Sequence, residues 1–147
     1  MGNIAFISLG SESHKNAEYL VKSVKKNCKN FKIIQISRDV DPRINETDYK
    51  FNYKFKSNTL MIDKLRVLRS VYEKIGSLFF LDSDMMVAKN LDILFNKFRD
   101  YDLVFTKRKS NFKINDNFQN IQFPEFTNKN INDVMPYNAG FIGINSL

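Results

Sequence analysis

Hydrophobic and polar positions follow two periods along this chain, and the switches between them mark its elements. Asn3–Leu9 is an apolar, β-branched run closed by Gly10-Ser11, which predicts a strand and a turn. Ala17, Leu20, Val21, Val24 and Cys28 then recur at helical spacing, with Ser11 or Ser13 available as N-cap. Phe31–Ile36 is a second strand, so the chain opens on a βαβ unit with a right-handed crossover. Ser37–Asp48 is polar, with a turn at Asp41-Pro42. Tyr49, Phe51, Tyr53 and Phe55 alternate with polar residues and predict a third strand with one covered face, at a sheet edge. Met61, Leu65, Leu68, Tyr72 and Ile75 line one face of a helix that Gly76 ends.

The second half is less regular. Leu78–Leu81 is a short apolar run that stops at Asp82 and Asp84, as a buried strand does at the rim of a sheet. Leu91, Leu94, Phe95 and Phe98 predict a short helix capped by Asn90. Asp102–Thr106 reads as an inner strand, Lys107 to Pro136 as a long loop with short elements, and Phe141–Ile144 as a last strand. The expectation is one α/β domain over residues 1–147, a mainly parallel sheet flanked by helices. Ligands of such sheets bind beyond the carboxyl ends of the strands. Gly10-Ser11, Ser37-Arg38-Asp39 and Asp82–Asp84 all fall at predicted carboxyl ends.

Composition narrows the classes. With 147 residues, 43% hydrophobic and 14% aromatic, the chain can bury a core. Its one cysteine, Cys28, excludes an intrachain disulfide and falls on the apolar side of a helix as core filling. The one histidine, His14, argues against His-clustered metal chemistry and is expected to be solvent-exposed. No signal-peptide pattern precedes the first strand, and no run approaches the ~20 apolar residues of a membrane span. The expectation is a soluble cytoplasmic protein with at most peripheral membrane contact. The net charge of +7 comes mostly from scattered lysines, Lys107-Arg108-Lys109 excepted, and no nucleic-acid-binding signature accompanies it. No nucleic-acid partner is expected.

Chemistry concentrates in Asp82-Ser83-Asp84. Residues two apart in an extended chain share a side, so both carboxylates would converge on one object, and oxygen ligands suit Mg²⁺ or Mn²⁺. This Asp-x-Asp, followed by Met-Met-Val and the amphipathic Leu91–Phe98, resembles the motif of GT-A glycosyltransferases, the group with glycogenin and the lipopolysaccharide galactosyltransferases above all. Asp63-Lys64-Leu65 is similar to the Lys-Leu this family carries before its metal strand. Pro136–Phe141, running on to Ile144-Asn145, is similar to its Asn-(Ala/Ser)-Gly segment beside the donor sugar.

The resemblance implies a Rossmann-like, nucleotide-diphospho-sugar transferase fold and a metal-dependent transfer of a sugar to a glycan or lipid-linked acceptor. The donor would be a nucleotide-sugar, a UDP-sugar first among them. Asp84 would be the direct metal ligand. Asp82 would share the ion and reach the donor ribose, with Ser83 between them in the donor site. Lys64 would contact the diphosphate or sugar; the alternative is an exposed helix lysine paired with Asp63 or a nearby acid. Asn138 would bond sugar hydroxyls, with Ala139 and Gly140 allowing close backbone approach. Leu9, Gly10, Ser11 and Asp39 would flank the base, Asp39 being equally well explained as a turn-onset acid. The family's late His-x-x-Gly-x-x-Lys segment has no counterpart here, so the chain is expected to be the front part of the fold, and no catalytic residue is assigned.

Three other classes compete. Haloacid-dehalogenase phosphatases place their Asp-x-Asp on the first strand and Thr or Val at the fifth motif position, where Met86 stands. A nucleotidyltransferase would share the sheet and carboxylates but would carry a Gly-rich, basic N-terminal loop, of which Gly10-Ser11-Glu12-Ser13 is a poor version. A non-catalytic or truncated nucleotide-sugar-binding module requires only what is present.

Overall fold

The computed structural model describes residues 1–56, 60–107 and 137–146. In chain order these form β1 (Gly2–Ile7), α1 (Gly10–Asn27), β2 (Phe31–Ser37), β3 (Tyr49–Asn52), α2 (Leu60–Ile75), β4 (Leu78–Leu81), α3 (Asp92–Phe98), β5 (Leu103–Lys107) and β6 (Tyr137–Ile144). The strands make one six-stranded sheet in the order β3-β2-β1-β4-β6-β5. β1, β2, β3 and β4 run parallel, whereas β6 lies antiparallel between β4 and β5. The sheet is therefore mixed and mainly parallel, with helices on both faces, as expected. The start of β6 consequently sits at the carboxyl end of β4.

The alternation of side chains sorts the sheet into two cores. On the face of α1 and α3 lie Ile4, Phe6, Ile33, Phe79, Leu81 and Phe141. On the face of α2 lie Ala5, Ile34, Ile36, Leu78, Phe80, Ile142 and Ile144. The continuous apolar character of β1, β2 and β4 follows from this burial on both sides. Phe79 is the centre of an aromatic cluster, its ring 5.0–5.1 Å from those of Phe95, Phe98 and Phe141. Gly143 makes room for it: a Cβ there would lie 2.9 Å from Phe98 Cε2 and 3.2 Å from Phe79 Cε1.

Several elements differ from the sequence pattern. No side chain caps α1. Leu9 stands at the N-cap, so neither Ser11 nor Ser13 serves, and Gly10 turns the chain with φ +75°. The buried stripe of α2 is rotated from the one expected: Val67, Leu68 and Val71 are buried with Asp63 and Lys64, while Leu65 is 58% exposed. The apolar count treated Leu65 and Leu68 as equals, but the helix can seat only one stripe on a twisted sheet, and Lys64 takes part of it. β3 is the expected edge strand, yet it ends at Asn52, and Tyr53 and Phe55 continue as irregular chain with their rings 5.0 Å apart.

Asn90 acts as an Asx turn before α3 rather than as its cap, its Oδ1 accepting the Asp92 N–H at 2.8 Å. β5 is not an inner strand: among the described residues it forms the other edge, with Leu103 and Phe105 partly exposed. The long loop expected before Pro136 falls almost wholly outside the described residues. Cys28 is buried as expected, and burial pushes its thiol pKa up.

Candidate functional site

β4 delivers its last buried residue, Leu81, to the carboxyl edge, and the chain reverses there. The Met85 N–H donates to the Asp82 carbonyl at 3.0 Å, closing a four-residue turn. Asp82 and Asp84 thus reach one cleft from a turn, not through the strand alternation the spacing implied. The turn is held on both sides. The Asp82 N–H donates to the Gly140 carbonyl at 2.8 Å, tying it to β6. Downstream, the Val87 N–H donates to Ser23 Oγ at 2.9 Å and Asn27 Nδ2 donates to the Val87 carbonyl at 2.7 Å, tying it to α1. Between these anchors the Ser83 and Ser13 hydroxyls lie 3.1 Å apart.

The first turn of α2 points a cation at this turn. Lys64 Nζ donates to Asp82 Oδ1 at 2.7 Å and sits 4.3 Å from the centroid of the Phe80 ring. The lysine side chain is 7% exposed and the aspartate 43%. A lysine is buried to that degree only when its charge is paired. Its neighbour Asp63 is fully buried and structural: its Oδ2 accepts the Lys56 N–H at 2.8 Å, and Oδ1 lies 3.6 Å from Arg66. Lys64 is thus buried where the alternative expected an exposed lysine, and the acid it meets is Asp82.

Lys64, Asp82, Ser83 and Asp84 share a cleft of about 550 Å³ with Leu9 and the first turns of α1. Glu12, Ser13 and Asn16 supply that wall, and none of them was among the expected site residues. Their one-sided polar spacing on an otherwise amphipathic helix was the available signal. Among the described residues none donates to the Asp84 carboxylate, which is exposed.

The other expected residues do not all join this cleft. Gly10 and Ser11 line a second cleft, of about 410 Å³, on the other side of α1 with His14 and Asp41. His14 is half-buried rather than free in solvent, its Nδ1 3.2 Å from Ser8 Oγ. Asp39 lines neither cleft; its Oδ1 accepts from Asn52 Nδ2 at 2.7 Å, a bond at the β3 edge. The ordered acid of that loop is Asp41. Arg38 grips it through Nε and one terminal nitrogen, each at 3.1 Å, and through its backbone N–H at 3.0 Å. The Arg38 side-chain hydrogen bond, with help from the backbone N–H groups of Arg38 and Gly10, holds its carboxyl below the usual carboxylate range.

Gly140 is buried and meets the site through its carbonyl. Asn138 and Ala139 belong to β6, Asn138 opposite Thr106. The contacts expected of their side chains lie outside what the structure describes, as do Arg108 and Lys109. Asn145, at the far end of β6, is structural: Oδ1 accepts from Ser77 Oγ at 2.6 Å and Nδ2 donates to the Arg99 carbonyl at 2.9 Å. Among the described residues no three His, Cys, Asp or Glu side chains come together as a metal cage. No helix of the described residues is long and apolar enough to cross a membrane.

Neither a protein-family model nor a curated protein sequence matches the chain. Solved structures do. The glycosyltransferase GlyE of Streptococcus pneumoniae TIGR4 superposes with a TM-score of 0.60 at 15% identity, over 98% of this chain and 34% of its own. The galactosyltransferase LgtC, solved with donor and acceptor sugar analogs, gives 0.59 at 14% identity, over 97% of this chain and 57% of its own. A 4-diphosphocytidyl-2C-methyl-D-erythritol synthase from Anaerococcus prevotii DSM 20548 gives 0.56 at 19% identity, over 97% of this chain and 70% of its own. The chain therefore has the fold shared by these two glycosyltransferases and the synthase. It spans between a third and just over half of the length of the two glycosyltransferases.

Proposed function

We propose that this chain is the donor-binding part of a metal-dependent glycosyltransferase, acting on a nucleotide-sugar and a glycan or lipid-linked acceptor. The observation that carries the reading is the Asp82–Met85 turn at the carboxyl end of β4, which lines one cleft with the paired ammonium of Lys64. A cleft of that size suits a nucleotide-sized ligand, and its place at the sheet edge suits the fold.

The donor set fits a hard divalent cation. Asp84 has a carboxylate without a donor among the described residues, and Asp82 has one oxygen on Lys64 and one left over. Asp84 would hold Mn²⁺ or Mg²⁺ directly and Asp82 would share it, leaving other positions for water and phosphate oxygens. When bound, such an ion neutralises charge developing on the departing diphosphate. Lys64 offers the diphosphate a second, buried-stem cation. Ser83 and Ser13 offer hydroxyls at the cleft floor, and the segment Asn138–Gly140 would border the sugar. Leu9 and the start of α1, with Gly10, Ser11 and Asp41 beyond, would border the base.

A nucleotidyl transfer is the second reading, favoured by the likeness to the erythritol synthase. Against it stands the start of α1, where Gly10 leads straight into the helix with no extended basic loop over the cleft. Calorimetry with UDP-, GDP- and CMP-sugars in Mn²⁺, then in EDTA, separates the two when paired with a nucleoside triphosphate and a sugar phosphate. Metal-dependent binding of one nucleotide-sugar supports glycosyl transfer. Binding of the triphosphate alone overturns it.

A further inference from the structure

The carboxylate proposed to share the divalent ion already holds a cation, and that cation is tethered. Lys64 Nζ lies 2.7 Å from Asp82 Oδ1, closer than most ion pairs. Its ammonium rests against the Phe80 ring at 4.3 Å, a backing that favours positive charge at that spot. Because the side chain is 7% exposed, water screens it poorly, and its field acts on whatever binds Asp82.

Two cations compete for one carboxylate. A divalent ion arriving alone must approach a fixed ammonium or displace it from Asp82, and in either case its affinity falls. A diphosphate removes the conflict, because it offers Lys64 a second anion on the same side of the cleft. The four-carbon stem can swing its charge by several ångströms while its root stays in α2. Glu12 also lines the cleft, but it contributes equally whether or not Lys64 is charged.

Resting on the reading that Asp82 and Asp84 hold a divalent cation, we propose that Lys64 is an internal competitor for that cation. It occupies Asp82 before the donor binds and transfers to the diphosphate afterwards, so that cation and donor bind as a coupled pair. By linkage the coupling is reciprocal: the diphosphate raises cation affinity by the same factor as the cation raises diphosphate affinity. Lys64 is then a positioning residue for the ion, in addition to any contact with phosphate.

The test uses the whole chain, with Mn²⁺ and UDP as probes and the free Mn²⁺ resonance as readout, corrected for the Mn²⁺–UDP complex in solution. Lys64→Met keeps an unbranched apolar side chain and deletes the charge; Lys64→Gln is a second neutral variant, and Lys64→Arg retains the charge. Expected is a tighter grip on Mn²⁺ alone in both neutral variants, by about threefold to tenfold, the range of a close charge pair partly screened by water. UDP should raise Mn²⁺ affinity strongly in the wild type and in Lys64→Arg, and weakly in the neutral variants. Unchanged or weaker binding of Mn²⁺ alone in a folded neutral variant overturns the proposal. So does a wild type whose Mn²⁺ affinity ignores UDP, a result that needs no variant. A wild type that binds no Mn²⁺ with or without UDP overturns the cation reading itself, and the proposal with it.

Discussion

The backbone N–H of Asp82 donates to the carbonyl of Gly140 at 2.8 Å, so the first residue of the acidic turn hangs on β6, not on its own strand alone. Asp82 is therefore placed by two distant parts of the chain, through its amide and through Lys64 at its carboxylate. Asp84 has neither constraint. Its carboxylate faces the cleft without a protein donor among the described residues, which separates its chemistry from its structural role.

Asp84→Asn is accordingly expected to abolish metal-dependent binding of the nucleotide-sugar while leaving the melting temperature within about 1–2 °C, since a surface substitution of this kind is worth under about 0.5 kcal/mol. Calorimetry with donor and Mn²⁺, beside a thermal melt, checks both halves. Retained donor affinity would sink the ligand role of Asp84.

Two leucines three residues apart on α2 should differ sharply in what they contribute. Leu68 is 1% exposed and Leu65 is 58% exposed. Leu68→Ala is expected to cost about 2–5 kcal/mol, and Leu65→Ala less than about 1 kcal/mol. Urea unfolding of the two variants measures the difference. Equal losses would return Leu65 to the buried stripe that the apolar spacing implied.

Gly143→Ala places a methyl group against the rings of Phe98 and Phe79. Overpacking there is expected to destabilise by about 1–3 kcal/mol. Partial relief by Phe98→Leu in the double variant, read by the same unfolding curves, would locate the clash at that ring.

The Arg38–Asp41 pair carries a pH signature. Because the folded carboxyl sits below its unfolded value, its stabilisation is present above the ordinary carboxylate range and is lost as pH falls through that range and beyond. Asp41→Asn is expected to lower the melting temperature by a few degrees at pH 7, and the gap to the wild type should close as pH drops below about 4. A gap that stays constant with pH would mean that the Asp41 contacts act through shape and not charge.

Much of this was legible in the chain. The βαβ opening, the edge strand at Tyr49, the stop at Gly76 and the strand Leu78–Leu81 are each written by period and punctuation, because burial on two faces leaves few alternatives for short apolar runs. Asp82, Asp84 and Lys64 were legible as a group, and they share a cleft. Which of Asp39 and Asp41 Arg38 grips is not legible, since both follow a strand end and only the loop's path decides it. The stripe of α2 was misjudged at Leu65 because a buried, ion-paired lysine looks polar to any pattern count. The edge position of β5 was hidden because the reversal of β6, which follows from pairing and not from composition, decides the order of the last three strands.

That reversal has a temporal consequence. The pairing of β1 with β2 starts at Gly2 and Phe31, whereas β4 pairs with a strand much further along the chain, Leu78 with Ile144 and Leu81 with Phe141. Closing a long stretch of chain costs more entropy than closing a short one, so the β4–β6 pairing is the slower of the two to form. The Asp82 amide gains its partner, the Gly140 carbonyl, only once β6 lies beside β4, and deuterium uptake at that amide becomes a clock for the arrival of the last strand.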